Sequence, residues 1–287
     1  DSGNKVNYFP SKKVFLPIDK NTIIKNKVVD PKFYDSIVPQ IEFTIKDKAL
    51  YKNRLMMLDI VNQNNWKRPI YFTGGSFGDD DYIWMKDYLQ LDGMCFKLVP
   101  VKTPVKSPNP MEMGYIDSDK MFDIVMKWDW GNSESPAIYH DPETRKNSIS
   151  YRTNLARLAE TLINENKLGK AEKVIDLAME KMPLEYFGYY SLLEPFAKGY
   201  YAVGKKEKAK TMLTKLIKKQ QENLAYYNTW KPSDQNFSAM DIMMDIEQYR
   251  SFLEIAKYGK DLEFYNKEKL KFNNYNKMFI RFGRKME

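Results

Sequence analysis

One helix-pair pattern occurs twice between Asn154 and Gln221, and nothing else in the chain constrains the fold as tightly. The first copy reads NLARLAETLINENKLGKAEKVIDLAMEKMP. Its apolar positions are Leu155, Leu158, Ala159, Leu162, Ala171, Ile175 and Ala178, and Pro183 closes it. The second copy reads LLEPFAKGYYAVGKKEKAKTMLTKLIKKQ, with Leu193, Phe196, Ala197, Tyr200, Ala209, Leu213 and Leu216 at the matching places. Apolar recurrence at three and four residues lines one face of a helix. A helix pair of this kind cannot bury that face alone and must stack on a neighbour. Two copies fall short of the roughly three that a stable stack needs, so further helices are expected to close it. Segments 238–257 and 262–280 fit that role. The first is apolar at Met240, Met243, Met244, Ile246, Phe252, Leu253 and Ala256, without matching the motif, and reads with the second as a degenerate third pair.

The pattern resembles the tetratricopeptide repeat. It departs from that family in two ways. Ala171 and Ala209 stand 38 residues apart, against roughly 34 in the regular repeat, with the surplus in PLEYFGYYS. The second copy also has Gln221 where the family has proline. The resemblance implies a solenoid whose first helices line a concave face. The positions exposed there are Ala156, Glu160, Ile163 and Asn164, then Glu194, Lys198, Tyr201 and Ala202. Glu160, Asn164, Glu194, Lys198 and Tyr201, with the aromatic Tyr227 and Trp230 beside the loop KPSDQN, are the candidate partner-binding groove. Tyrosine and tryptophan suit peptide or sugar contacts because a flat apolar face carries a polar handle. The lysine and asparagine set that clamps a C-terminal carboxylate in chaperone-binding members is missing, since Ala156 and Glu160 occupy key places. The same face could instead pack on the first half of the chain and bind nothing.

The first half changes period. KKVFLPID (12–19) and the alternating QIEFTI (40–45) read as strands. ALYKNRLMMLDIVNQNN (49–65) reads as a helix with a broad apolar face through Leu50, Leu55, Met56, Leu58, Ile60 and Val61. RPIYFTGG (68–75) reads as a short strand, DDDYIWMKDYLQLDG (79–93) as a helix with an acidic first turn, and MCFKLVPV (94–101) as a strand. Strands alternating with helices predict an α/β layer with parallel neighbours. A proline-rich connector follows, then a short helix over 118–127. The expected architecture is an α/β domain at 1–114, a connector with a short helix at 115–150, and an all-α helical solenoid at 151–287.

No strong catalytic constellation is present, and no catalytic residue, metal ligand or cofactor is assigned. The turn TGGSFGDDD lacks the phosphate-loop lysine and the full dinucleotide glycine pattern. Asp79, Asp80 and Asp81 suit either a divalent cation or, as preferred here, an N-cap with carboxylates favouring the helix dipole. A single histidine, His140, and a single cysteine, Cys95, exclude a histidine-rich metal site, a disulfide framework and a multi-cysteine zinc site. Cys95 reads as buried and structural. The net charge is +8, but lysines interleave with glutamates as in GKKEKAK. That reads as a solvated surface rather than a nucleic-acid site, which wants clustered arginine among aromatics. No apolar run is long enough to cross a membrane. The opening DSGNKVNYF reads as a truncated or processed start.

FPSKKVFLPID, IVPQIEFTI, LMMLDIVNQNNWKRPIYFTG, DYLQLDGMCFKLVPV and RTNLARLAETLINENKLGKAEKVID together resemble the C-terminal region of the domain-of-unknown-function-2723 proteins. These are bacterial multi-pass membrane proteins related to protein O-mannosyltransferases and to animal transmembrane protein 260. The blocks NNWKRPIYF and YLQLDG…LVPV are the most specific. The resemblance implies a noncatalytic, extracytoplasmic (periplasmic) C-terminal domain of a membrane glycosyltransferase-like protein of the C class, adjacent to the membrane but not inserted. Its partner would be a protein or glycan acceptor, or the membrane portion of the parent; no nucleic acid is implied. Two alternatives stand beside it: an independent solenoid adaptor for peptides or proteins, and a cation-dependent enzyme using Asp79 to Asp81.

Overall fold

The computed structural model of the chain describes residues 11–45, 50–73, 80–104 and 113–283, without the side chains of 80–83 and 283. The chain forms two compact units, Asp1–Lys127 and Trp128–Glu287.

In the first unit, β1 (Lys13–Pro17) pairs antiparallel with β2 (Gln40–Thr44), Leu16 opposite Ile41. β2 alternates exposed and buried residues, the period of a strand with one face inward. Between them, the Asp19 carboxylate caps α1 (Lys20–Lys25), and Asp30 caps a single 3-10 segment, Pro31–Ser36. Both are too short for a helical period to show in sequence. Ile23 of α1 nonetheless anchors a buried cluster with Val28, Val29, Val99 and Val101. α2 (Lys52–Gln63) forms as expected. Its apolar face does not close, however: Val61 is buried, while Leu55, Met56 and Ile60 stand exposed.

The remaining strands correct two expectations. β3 (Tyr71–Phe72), β4 (Leu89–Asp92) and β5 (Cys95–Leu98) form a sheet in the order β3-β5-β4, antiparallel throughout. Segment 79–93 is therefore not one helix. Asp80–Tyr88 is 3-10 in character with a break at Met85, and the chain then enters β4. Gly93, at φ +70, supplies the positive φ of a two-residue hairpin turn that sets Asp92 opposite Cys95. So short a link forces antiparallel neighbours, because a parallel crossover needs a dozen or more residues. Among the described residues, the one parallel pairing is the bridge from Gln90 to Tyr115. There the Leu91 N–H donates to the Tyr115 carbonyl at 2.8 Å, and the Tyr115 N–H to the Leu89 carbonyl at 3.0 Å. Gly114, at φ +75, makes that approach possible: a Cβ would lie 2.9 Å from the Phe96 ring and 3.1 Å from the Leu91 nitrogen. α3 (Ser118–Val125), capped by Asp117, then packs on β4.

The second unit is helical. α4 (Pro142–Asn164) pairs with α5 (Leu168–Lys181). After the short α6 (Leu184–Phe187), α7 (Glu194–Ala202) pairs with α8 (Lys206–Asn228). α9 (Pro232–Phe237) leads to α10 (Ala239–Tyr258), which pairs with α11 (Leu262–Met278), and α12 (Ile280–Gly283) ends the described chain. α7 packs on α4 and α5, and α10 packs on α7 and α8, so each pair lies against the next. All fourteen apolar positions of the twofold pattern are buried. The third pair buries Ile246, Phe252, Leu253 and Ala256 as expected, but Met240 and Met244 are exposed and Ile242 and Tyr249 take the inner face. α4 begins at Pro142, inside the segment read as connector. Asp141 accepts from the Glu143 and Thr144 nitrogens ahead of proline at the first helical position, a start signal legible in the run DPET.

Candidate functional site

The seven groove residues fall in three places. Glu160 and Asn164, on α4, are exposed. Glu194, Lys198 and Tyr201, on α7, face the third pair instead of solvent alone. The Ser251 hydroxyl of α10 donates to Glu194 Oε2 at 2.7 Å, and Lys198 Nζ stands 5.0 Å from the Tyr258 ring. The Tyr201 ring lies against Gly259, where a Cβ would come within 2.3 Å of it, and its hydroxyl donates to Asp261 Oδ2 at 3.4 Å. Burial, then the Asp261 charge, holds that phenol well above the usual tyrosine range. Tyr227 and Trp230 meet edge to face at 5.0 Å at the end of α8, where Gln235 Nε2 donates to both their carbonyls. They are half-buried; Tyr226 is the more exposed ring. Ala156, expected on an exposed face, is buried. First helices stacked side by side cover positions that an isolated pair would leave open.

The surplus between the copies is held by two residues that carried no functional assignment. Arg152 is fully buried on α4. Its Nη1 donates to the Gly188 carbonyl at 2.5 Å and its Nη2 to the Met182 carbonyl at 2.9 Å, while the guanidinium sits 5.9 Å from the Phe187 ring. Burial lowers its pKa to about 10. His140 lies against Phe187, the rings tilted with centroids 4.4 Å apart, with its Nε2 2.9 Å from the Ser133 carbonyl. The extra residues therefore form a braced corner around α6.

That corner borders an open cavity of about 640 Å³. Met179, Pro183, Leu184, Leu193 and Met212 form an apolar floor, and Glu134, Glu180, Glu185, Glu207, Lys208 and Lys215 stand around it. Tyr200 in its wall donates to Asp176 at 2.8 Å. Burial and then Asp176 raise that phenol far above its ordinary range.

The first unit carries a buried polar cluster. Gln90 Nε2 donates to Asp92 Oδ1 at 2.6 Å, and the Tyr115 hydroxyl to Gln90 Oε1 at 2.6 Å. The Tyr71 hydroxyl donates to Asp92 Oδ2 at 3.2 Å, which Lys120 Nζ also approaches at 3.2 Å. Lys97, on β5, is only 6% exposed and donates to the Val28 carbonyl at 2.5 Å. Burial, reinforced by Lys120, lowers its amine to about 8, and burial with Asp92 pushes Tyr71 up to about 12. Perturbed groups in a cleft are candidates for catalysis. Here Lys97 is buried on a backbone carbonyl, while Tyr71, whose ring is exposed, is tied to Asp92; together they brace β4, β5 and the returning chain at Tyr115. Cys95, at the head of β5, is half-buried rather than buried. Among the described residues, no group of three or more His, Cys, Asp or Glu is placed to hold a metal. Asp79 and the side chains of Asp80 and Asp81 lie outside the described residues.

Comparison with known families bears on this first unit. Residues 1–120 match the family described as TMEM260-associated domain 2. The matched segment nearly coincides with the first compact unit and contains the whole of the polar cluster. No curated protein and no solved structure matches the chain. No described helix is long and apolar enough to cross a membrane.

Proposed function

We propose that the chain is a noncatalytic, extracytoplasmic domain of a TMEM260-like multi-pass membrane protein related to glycosyltransferases. Its first unit is the family-specific module, and its stacked helix pairs hold an acceptor, a partner protein or the membrane portion of the parent. The observation that carries this reading is the match of residues 1–120 to a domain associated with TMEM260. Two structural features support it. The carboxylate and amine at the centre of the matched unit, Asp92 and Lys97, are buried and hydrogen-bonded within it. The second unit is a stack of helix pairs resembling tetratricopeptide repeats, an arrangement that suits holding other chains. Of the groove residues, Glu160, Asn164 and Lys198 are exposed on their helices, and they are the first candidates for partner contact.

The coding sequence upstream of Asp1 tests the proposal. Several hydrophobic spans in the same reading frame are expected. A lone secretory signal there would favour an independent solenoid adaptor, the reading that rests on the helix stack alone. The noncatalytic assignment is tested separately: the isolated chain, given lipid-linked sugar and acceptor peptide, is expected to transfer nothing, and measurable transfer would overturn it.

A further inference from the structure

We infer that the cavity bordered by α5, α6 and α8 is a docking site for a segment of another protein that carries arginine next to large apolar side chains. The inference rests on the second unit alone and holds whatever the parent protein is. Its apolar floor, Met179, Leu184 and Met212 above all, offers the contact surface. Its volume of about 640 Å³ lies within the range of ordinary ligand sites, roughly 300–1,000 Å³.

The charge around the floor decides what fits. Both lysines at the rim are already neutralised. Lys208 Nζ lies 2.7 Å from Asp176 and 2.9 Å from Glu172, and Lys215 Nζ lies 2.8 Å from Glu185. The other carboxylates are not matched one for one. Glu134 and Glu180 share a single amine, Lys181 Nζ, at 2.6 and 2.9 Å. Glu134 Oε2 is buried without a hydrogen-bond partner. Glu207 makes no ion pair among the described residues. The rim is thus acidic in excess on a chain whose net charge is +8. An anionic ligand would be repelled. A guanidinium supplies the planar pair of N–H donors that a carboxylate accepts best, and leucine-sized neighbours cover the floor.

The test uses the whole chain and a fluorescein-labelled peptide alternating arginine with leucine, with a glutamate–leucine peptide of equal length as control. Anisotropy titration is expected to show the arginine peptide binding at least about tenfold more tightly. That binding should weaken as salt rises from about 50 to about 300 mM, because screening shortens the reach of the rim charges. Non-specific attraction to a basic chain would favour the glutamate peptide instead. Glu134→Gln with Glu207→Gln should weaken the arginine peptide about tenfold. Thr211→Trp, at an exposed lining position whose change spares the core, should block it sterically. Equal binding of both peptides, no binding, or binding indifferent to all three substitutions overturns the assignment. A concentration-dependent dimer that Thr211→Trp dissolves would place a second copy of this chain in the cavity and overturn it as well.

Discussion

At the scale of single residues, two buried cations show how position converts an ordinary surface side chain into a structural one. Lys97 is hydrogen-bonded to a carbonyl inside the first unit, and its amine loses its proton at about 8 instead of near 10.5. Between those values the unfolded chain holds more protons than the folded one, so stability rises with pH across that window; below it the contribution is constant. The unfolding free energy from urea titrations should therefore rise by about 2 kcal/mol between about pH 7.5 and about pH 9.5, at about 1.36 kcal/mol per pH unit. Lys97→Met should flatten that slope. Above about pH 10 the sign reverses, because the raised phenols of Tyr71, Tyr115 and Tyr200 keep protons that an unfolded chain gives up. A slope that Lys97→Met leaves intact would refute the assignment. Arg152 plays the matching part in the second unit. Arg152→Leu keeps bulk but strands the Gly188 and Met182 carbonyls, and should cost about 2–4 kcal/mol in chemical denaturation. A loss under about 1 kcal/mol would mean that the corner holds itself.

At the scale of elements, the twofold pattern translates directly into helix packing. Ala171 and Ala209 are both fully buried, each on the second helix of its pair. Ala171→Phe and Ala209→Phe should each overpack a helix contact and lower stability by about 1–3 kcal/mol; thermal melts unchanged in both would contradict the stacked-pair architecture. Gly199 shows the same constraint from the other side: a Cβ there would lie 2.7 Å from Ile175 Cδ1, so any larger residue would make the end of the Ile175 side chain shift. The strands are less legible than the helices. The alternation in QIEFTI marks β2 because one face is wet. LQLD also alternates apolar and polar, but over four residues only and with its polar members Gln90 and Asp92 buried as well, so it is too short to stand apart from the helical reading before it. The Gly93-Met94 turn marks its end, since glycine there supplies the positive φ that a tight hairpin requires.

At the scale of the whole molecule, the two units differ in kind. Each has its own buried set, and the helical unit's braces, from Ser133 and His140 through Arg152 to Gln235 and Arg281, begin and end inside it. Residues 128–287 expressed alone should therefore give a helical circular dichroism spectrum and one cooperative melt; a broad, non-cooperative transition would show that the stack needs residues 1–127. The sequence by itself determined the helix pairs, the closing role of the last helices and the change of period near the middle of the chain. Those are local properties, set by spacing along one element. The tertiary structure alone decided the antiparallel sheet, the meeting of Gln90, Asp92, Lys97 and Tyr115, and the contacts that Glu194 makes with α10 and Tyr201 with the turn after it. It also decided that PLEYFGYYS, the segment that holds the surplus, would border a cavity. Each of these depends on which residues far apart in sequence come together, and a side chain's periodicity says which face of its own element it occupies but not what will lie against that face.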